Sequence, residues 1–154
     1  MTNSDTADIA ALHAVIFDPP WGSDAIARMV EDGGDCSLVA RGGVGADGER
    51  LLLGFVIARS LGDEIEIVSL GVKPAMQRRG IAGHLLAHLA RSEVGKNGRI
   101  VLEVAVDNMP ARALYARFGF SEVGRRKNYY GRQTGSSVDA LVLAGERADI
   151  LQRE

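Results

Sequence analysis

The sequence holds one cysteine, Cys36, in 154 residues. No disulfide can form within the chain, and a reducing compartment suits it. No stretch approaches the roughly 20 apolar residues of a membrane-spanning helix. Neither sign of charge dominates: the formal net charge is −2. That balance gives no long-range attraction to nucleic acid or to an anionic membrane surface. The first residues, Met1-Thr2-Asn3-Ser4-Asp5, have neither a basic start nor an apolar run, so no signal peptide is expected. The expected location is cytoplasmic. Hydrophobic residues make up 46% and charged residues 25%, the balance of an ordinary globular domain. The length suits one domain over residues 1–154 with a single core.

Proline is scarce and acts as punctuation. Ile9, Leu12, His13 and Ile16 fall at helical spacing within Ala7–Phe17, which predicts an amphipathic helix. Asp18-Pro19-Pro20-Trp21-Gly22 breaks it. Ser23 is placed to cap a second helix running to Val30, stopped by Gly33-Gly34. Strands are expected over Cys36–Arg41, Leu51–Ser60 and Glu64–Val72, with a glycine-rich mobile loop at Gly42–Gly48 and a hairpin turn at Gly62-Asp63. Lys73-Pro74 ends the third strand. The strongest helix spans Gly80–Val94, with Ile81, Leu85, Leu86, Leu89 and Ala90 on one face, and Gly95 and Gly98 stop it. Ile100–Val106 is nearly continuous apolar sequence, as in a strand buried on both faces. Asn108 and Pro110 open a further helix, which Gly119 ends. Phe120–Arg126 and Val138–Leu143 read as the last strands. The order predicts a mixed α/β (α+β) domain in which an antiparallel meander precedes a strand–helix–strand crossover.

Three features carry chemistry. Gln77-Arg78-Arg79-Gly80-Ile81-Ala82-Gly83 follows a strand and opens the best helix. The unpaired N–H groups of a first helical turn, with the positive end of the helix dipole, make a phosphate site. Alone, the segment reads equally well as an ordinary helix start. Glu103 interrupts the most apolar strand, where an ionised carboxylate is costly unless paired or facing a cleft. Partial burial raises a Glu pKa and suits it to act as a general base. The alternative is a Glu at a strand end reaching solvent. Tyr115 lies seven residues after Asn108, two turns along the same helix face. By position alone it is more often a core tyrosine.

Together these features resemble a family. Gln77–Ala82 is similar to the Gln/Arg-x-x-Gly-x-Gly/Ala acetyl-CoA motif of the GNAT superfamily of N-acetyltransferases. Asn108–Phe120 resembles that superfamily's Asn-x-x-Ala-x-x-Leu-Tyr-x-x-x-Gly-Phe. Finer features resemble the RimI-type branch, which acetylates the N-terminal alanine of a ribosomal protein. These are Glu103-Val104, the run Arg125-Arg126-Lys127-Asn128-Tyr129-Tyr130, Asp139-Ala140, and the segment from His13 to Pro20-Trp21-Gly22-Ser23. Two departures stand out. Val138-Asp139-Ala140 replaces the branch's Glu-Asp-Ala. The family's first strand has almost no room before the first helix, which reads as a misplaced start or a shortened sheet edge.

The resemblance implies a GNAT fold: a mixed central sheet with an antiparallel N-terminal meander, splayed central strands and flanking helices. It implies acetyl-CoA as co-substrate and a protein N-terminus as acceptor, with no metal, nucleic acid or membrane partner. The backbone of Arg78, Arg79, Gly80, Ile81, Ala82 and Gly83 is expected to hold the pyrophosphate. Leu70, Gly71 and Val72 pair with the pantetheine arm, Gly71 leaving room there, and Asn108 also contacts the arm. Glu103 is then the base and Tyr115 the proton donor to the leaving thiolate. Two rival readings share the motifs: transfer to a small-molecule amine, and a CoA-binding module without catalysis. His84 and His88 have a zinc-compatible spacing, but no Glu completes a metalloprotease pattern between them. Arg125-Arg126-Lys127 with Tyr129-Tyr130 reads as a solvated strand end rather than an RNA contact, and the resemblance implies that the tyrosine pair lines the acceptor groove. Cys36 reads as a small buried hydrophobe.

Overall fold

The computed structural model describes residues 3–33, 36–45, 48–92, 98–131 and 137–154. Helices α1 (Asn3–Ile16) and α2 (Ser23–Gly33) come first, followed by strands β1 (Leu38–Gly42), β2 (Leu51–Leu61) and β3 (Glu64–Val72). Helix α3 (Ile81–Arg91), strand β4 (Arg99–Ala105), helix α4 (Met109–Arg117), strands β5 (Ser121–Gly131) and β6 (Ser137–Glu146), and helix α5 (Arg147–Gln152) complete the chain. One mixed sheet contains all six strands in the order β1-β2-β3-β4-β6-β5. The meander β1-β2-β3 is antiparallel, α3 carries the chain across to a parallel β4, and β6 and β5 return antiparallel.

The sheet is covered on both faces. On one face α3, α4 and α5 pack Leu85, Leu86, Leu89, Tyr115, Phe118 and Ile150 onto Val56, Ile65, Ile67, Ile100, Leu102 and Leu143. On the other, α1 and α2 pack Ile9, Leu12 and Ile26 onto Phe55 and Ile57. Burying each such aliphatic side chain contributes about 1.5–3 kcal/mol. Cys36 is buried in the first of these clusters, as a small hydrophobe.

Several local expectations change. Ser23 is already helical, and the Gly22 carbonyl accepts from Ile26 N–H at 3.1 Å, so Gly22 occupies the capping place. Helix α3 ends at Arg91, and Val94 and Gly95 lie outside the described residues. Gly42 belongs to β1, and residues 46–47 of the loop after it lie outside the described residues. Strand β4 is not buried on both faces. Ile100, Leu102 and Val104 are buried, while Val101, Glu103 and Ala105 on the opposite face are half-open. Strand β5 runs five residues past Arg126, and the short α5 had no periodic signal long enough to announce it. Among the described residues no strand precedes α1.

Gly71 has a packing role. A Cβ there would lie 2.8 Å from Phe55 Cε1 and 3.1 Å from Ile16 Cδ1. The space that the missing side chain leaves is filled by α1 and β2 and is not open to a ligand. Gly71→Ala should therefore lower stability by about 1–3 kcal/mol through overpacking. A reduced denaturation midpoint at unchanged slope checks this.

Candidate active site

The site begins where two neighbouring strands part. β3 and β4 pair only at Ile65↔Ile100, Glu66↔Val101 and Ile67↔Leu102. Beyond these pairs β3 runs on to Val72 beside β2, and β4 runs on to Ala105 beside β6. The hydrogen-bond parity identifies which groups face the opening. Lys73 N–H donates to Leu53 O at 2.8 Å, so Gly71 and Lys73 point their main chain at β2, and Leu70 and Val72 point theirs into the gap. Val106 N–H donates to Asp139 O at 3.0 Å. By the same alternation Glu103 and Ala105 turn their main chain away from β6, toward the gap. Two strand edges thus face each other with main-chain groups that no neighbouring strand pairs, which is the arrangement an extended polar ligand can fill.

Three of those groups already accept a hydrogen bond, Glu103 O from the Tyr130 hydroxyl among them. Gln77 Nε2 donates to Val72 O at 3.2 Å, and Asn108 N–H donates to Ala105 O at 2.9 Å. Gln77 thereby ties the end of β3 to the loop ahead of α3. In that loop Arg78 (φ 60°) and Gly80 (φ 84°) are left-handed, and such turns gather successive N–H groups on one side. Gly80 caps α3 without any side-chain hydrogen bond, and His84 N–H is the first to find a carbonyl, Gly80 O at 3.0 Å. The N–H groups of Ile81, Ala82 and Gly83 therefore stay free within the helix, at its positive end. Gly83 is small for another reason: a Cβ would lie 2.7 Å from Phe118 Cζ. It lets α4 approach α3 and does not make room for a ligand.

Glu103 and Tyr115 lie on opposite faces of the sheet. Tyr115 packs with Phe120 (centroids 5.4 Å apart) in the core beneath α4, and burial, then the nearby Tyr130, pushes its phenol far above the ordinary tyrosine pKa. Asn108 holds α4 in place: its Oδ1 accepts from Ala111 N–H at 3.2 Å, the expected cap. Glu103 is on the α1–α2 face, 16% exposed, and its Oε1 meets Arg126 Nε at 2.7 Å. Tyr129 hydrogen-bonds the same carboxylate, which raises the Tyr129 pKa. The Tyr130 hydroxyl donates to Glu103 O at 3.3 Å, at the gap itself. Burial and the Glu103 charge push Tyr130 up to about 12.

Arg126, expected at a solvated strand end, meets Glu103 together with Tyr129 and Tyr130, the pair the family resemblance sets beside the acceptor groove. They arrive through a bulge. Arg126 pairs with Ala140 and Tyr130 with Val138, so three β5 residues stand opposite one of β6. Asn128 there is left-handed (φ 52°), and its N–H donates to Asp139 Oδ1 at 3.0 Å. Asp139 thus holds the bulge that turns the tyrosine pair toward Glu103. The signal was the Arg-Arg-Lys-Asn-Tyr-Tyr run itself, whose Asn and paired aromatics suit a left-handed irregularity.

Other candidates lie apart. His84 and His88 are exposed on α3, with His84 Nδ1 at 3.5 Å from Glu154 Oε1 and His88 Nδ1 at 2.9 Å from His84 O. Among the described residues no three His, Cys, Asp or Glu side chains cluster as metal ligands, and no helix is long and apolar enough to cross a membrane. An apolar cavity of about 300 Å³ lies between Gly42, Leu51, Leu53, Lys73 and Met76, and neither Glu103 nor Tyr115 lines it.

The raised tyrosine pKa values set an alkaline limit on stability. Below about pH 10 these phenols are neutral both folded and unfolded, so they add no pH dependence. Between pH 10 and about 12 the unfolded chain ionises first, and stability falls as pH rises. Tyr130→Phe should flatten part of that fall in denaturation midpoints measured from pH 8 to 12.

Comparison with known proteins agrees with this geometry. Residues 6–120 match the model of the acetyltransferase (GNAT) family. The N-alpha-acetyltransferase RimI of Mycobacterium tuberculosis is 34% identical over 97% of this chain and 91% of its own. The ribosomal protein bS18-alanine N-acetyltransferase of Escherichia coli is 38% identical over 58% of this chain, and the match spans 61% of that enzyme's length. The crystal structure of the Escherichia coli ribosomal-protein-S18-alanine N-acetyltransferase superposes with a TM-score of 0.75 at 26% identity, over 94% of this chain and 89% of the other. Arabidopsis thaliana NAA60 in complex with acetyl-CoA gives 0.78 at 25% identity, over 92% and 93%. The split strands, the bare helix start and these relatives together place the chain in the GNAT family of N-acetyltransferases.

Proposed function

We propose that this protein transfers the acetyl group of acetyl-CoA to the α-amine of a protein N-terminus, with an alanine-first ribosomal protein such as bS18 as acceptor. The observation that carries the reading is the β3–β4 gap, with Leu70 and Val72 main chain on one side, Glu103 on the other, and the bare start of α3 at its mouth. The pantetheine arm bonds Leu70 and the Val72 N–H as an added strand. The diphosphate sits on the N–H groups of Arg78–Gly83, and Asn108, by its place at the end of β4, borders the arm. A ribosomal acceptor places the reaction in the cytoplasm.

On the α1–α2 face the acceptor groove has two walls. One is the end of α1 with the 17–22 loop, since Ile16 touches Gly71 beside the gap. The other is the β5 bulge with Tyr129 and Tyr130. An arriving ammonium takes the place of Arg126 on Glu103, and Arg126, 60% exposed, swings into solvent. Glu103, directly or through a water, takes one proton. An α-amine has a pKa of about 7.7–8.0, against about 10.4 for lysine, so this is a modest task. The neutral amine attacks the thioester carbonyl, the C–N bond forms, and the C–S bond breaks. Tyr115, held protonated by burial, gives its proton to the departing sulfur and is restored by the proton that the new amide nitrogen sheds.

A short alanine-first peptide, assayed against a panel of polyamines and amino acids, tests the acceptor class. Transfer to the peptide is expected, and transfer only to small amines would remove this reading. Tyr115→Phe should lower kcat by about 10²-fold, the usual loss of a general acid, at nearly unchanged acetyl-CoA affinity. Unaltered turnover would dismiss the acid role. Glu103→Gln should slow the reaction by about 10²-fold, most at pH below the amine pKa. A pH profile parallel to the parent's would remove Glu103 as the base.

A further inference from the structure

His13 sits in the last turn of α1 and is 2% exposed, yet neither the cofactor gap nor the acid–base pair uses it. Its Nδ1 accepts the Trp21 backbone N–H at 3.2 Å. That acceptance fixes the neutral tautomer with its proton on Nε2. The imidazole lies among rings: Phe17 at 4.3 Å, Trp21 stacked at 4.7 Å and Phe55 at 6.2 Å between centroids. Phe55 is the ring that fills the space beside Gly71, together with Ile16. One stack therefore joins the 17–22 loop to the stretch of β3 that borders the gap. A phenylalanine at position 13 would fill the same space. Only a group with a lone pair facing Trp21 can also satisfy its N–H.

We infer that His13 is a positioning residue: by accepting the Trp21 N–H it holds the 17–22 loop in place as a wall of the acceptor groove, and gaining a proton releases that wall. The inference rests on the groove described under the proposed function. Protonated imidazole carries N–H on both nitrogens, so Nδ1 would then face Trp21 as a second donor. Burial alone draws the His13 pKa below 6.5, and no charged group contributes. The titratable and charged groups on the surrounding elements are Asp5 and Asp8 of α1, Asp18 of the loop, Asp24, Arg28, Glu31 and Asp32 of α2, Arg59 of β2, and Glu64 and Glu66 of β3. Asp5 and Asp8 are held by Arg41, and Glu66 by Arg59.

Trp21 is the only tryptophan in the chain, so its fluorescence reports on the stack without labelling. In the parent protein its emission should titrate with a midpoint below pH 6.5, and in His13→Phe it should be flat over the same range. At pH 7.5, His13→Phe should raise the KM for an alanine-first peptide about tenfold, the effect of stranding one buried donor, with kcat and the acetyl-CoA KM unchanged. His13→Asn, whose Oδ1 can take the place of Nδ1, should restore the peptide KM. A Trp21 emission in the parent that does not change with pH would overturn the inference, as would a peptide KM in His13→Phe equal to the parent's. If the parent transfers nothing to the peptide, the proposed function fails, and the Trp21 titration still judges His13.

Discussion

Three residue pairs join β3 to β4, and the strands then separate. Everything at the site depends on that early parting. Each strand keeps its outer neighbour, β2 for β3 and β6 for β4, while their facing edges make no further ladder to each other. Unmade main-chain hydrogen bonds cost about 1–3 kcal/mol each where water is excluded. A fold keeps such an opening only when solvent or a ligand fills it. The crossover through α3 places the bare N–H groups of that helix at the mouth of the same opening, so a single ligand can satisfy both. Gln77, bonded to Val72 O, ties the two features together.

The second determinant is the bulge in β5. A regular strand would carry Arg126, Tyr129 and Tyr130 along the sheet edge, two positions away from Glu103's strand. Three residues opposite one, a left-handed Asn128 and the Asp139 carboxylate under its N–H turn the chain inward. Glu103 then has a guanidinium and a phenol on its carboxylate and a second phenol on its carbonyl. The acid is buried enough to be shielded yet partnered by a group that can leave. On the opposite face Tyr115 is enclosed by core aromatics and keeps its proton. The two faces of one sheet thereby give Glu103 and Tyr115 environments of opposite character.

Much of this was legible in the chain. The 3.6-residue pattern of Leu85, Leu86 and Leu89 and the turn at Gly62-Asp63 placed α3 and the β2–β3 hairpin. Asn108 with Pro110 placed α4, and its cap is as expected. What stayed hidden depended on partners distant in sequence. Gly71 and Gly83 look like room for a cofactor, yet Phe55 and Phe118 fill the space beside them. The apolar run Ile100–Val106 reads as doubly buried because composition cannot show that the neighbouring strand departs after three pairs. Arg126 reads as a surface charge because its partner, Glu103, is 23 positions earlier and two strands away in the sheet.

The central claim is that the cofactor enters the sheet as an extra strand and anchors on α3. Backbone amide NMR during titration with CoA tests it most directly. The account predicts the largest shifts at the amides of Leu70 and Val72 and of Arg79 through Gly83, with the Gly71 and Lys73 amides, bonded to β2, moving little. Silence at these positions with strong shifts around Leu51, Leu53 and Met76, the walls of the other cavity, would contradict it.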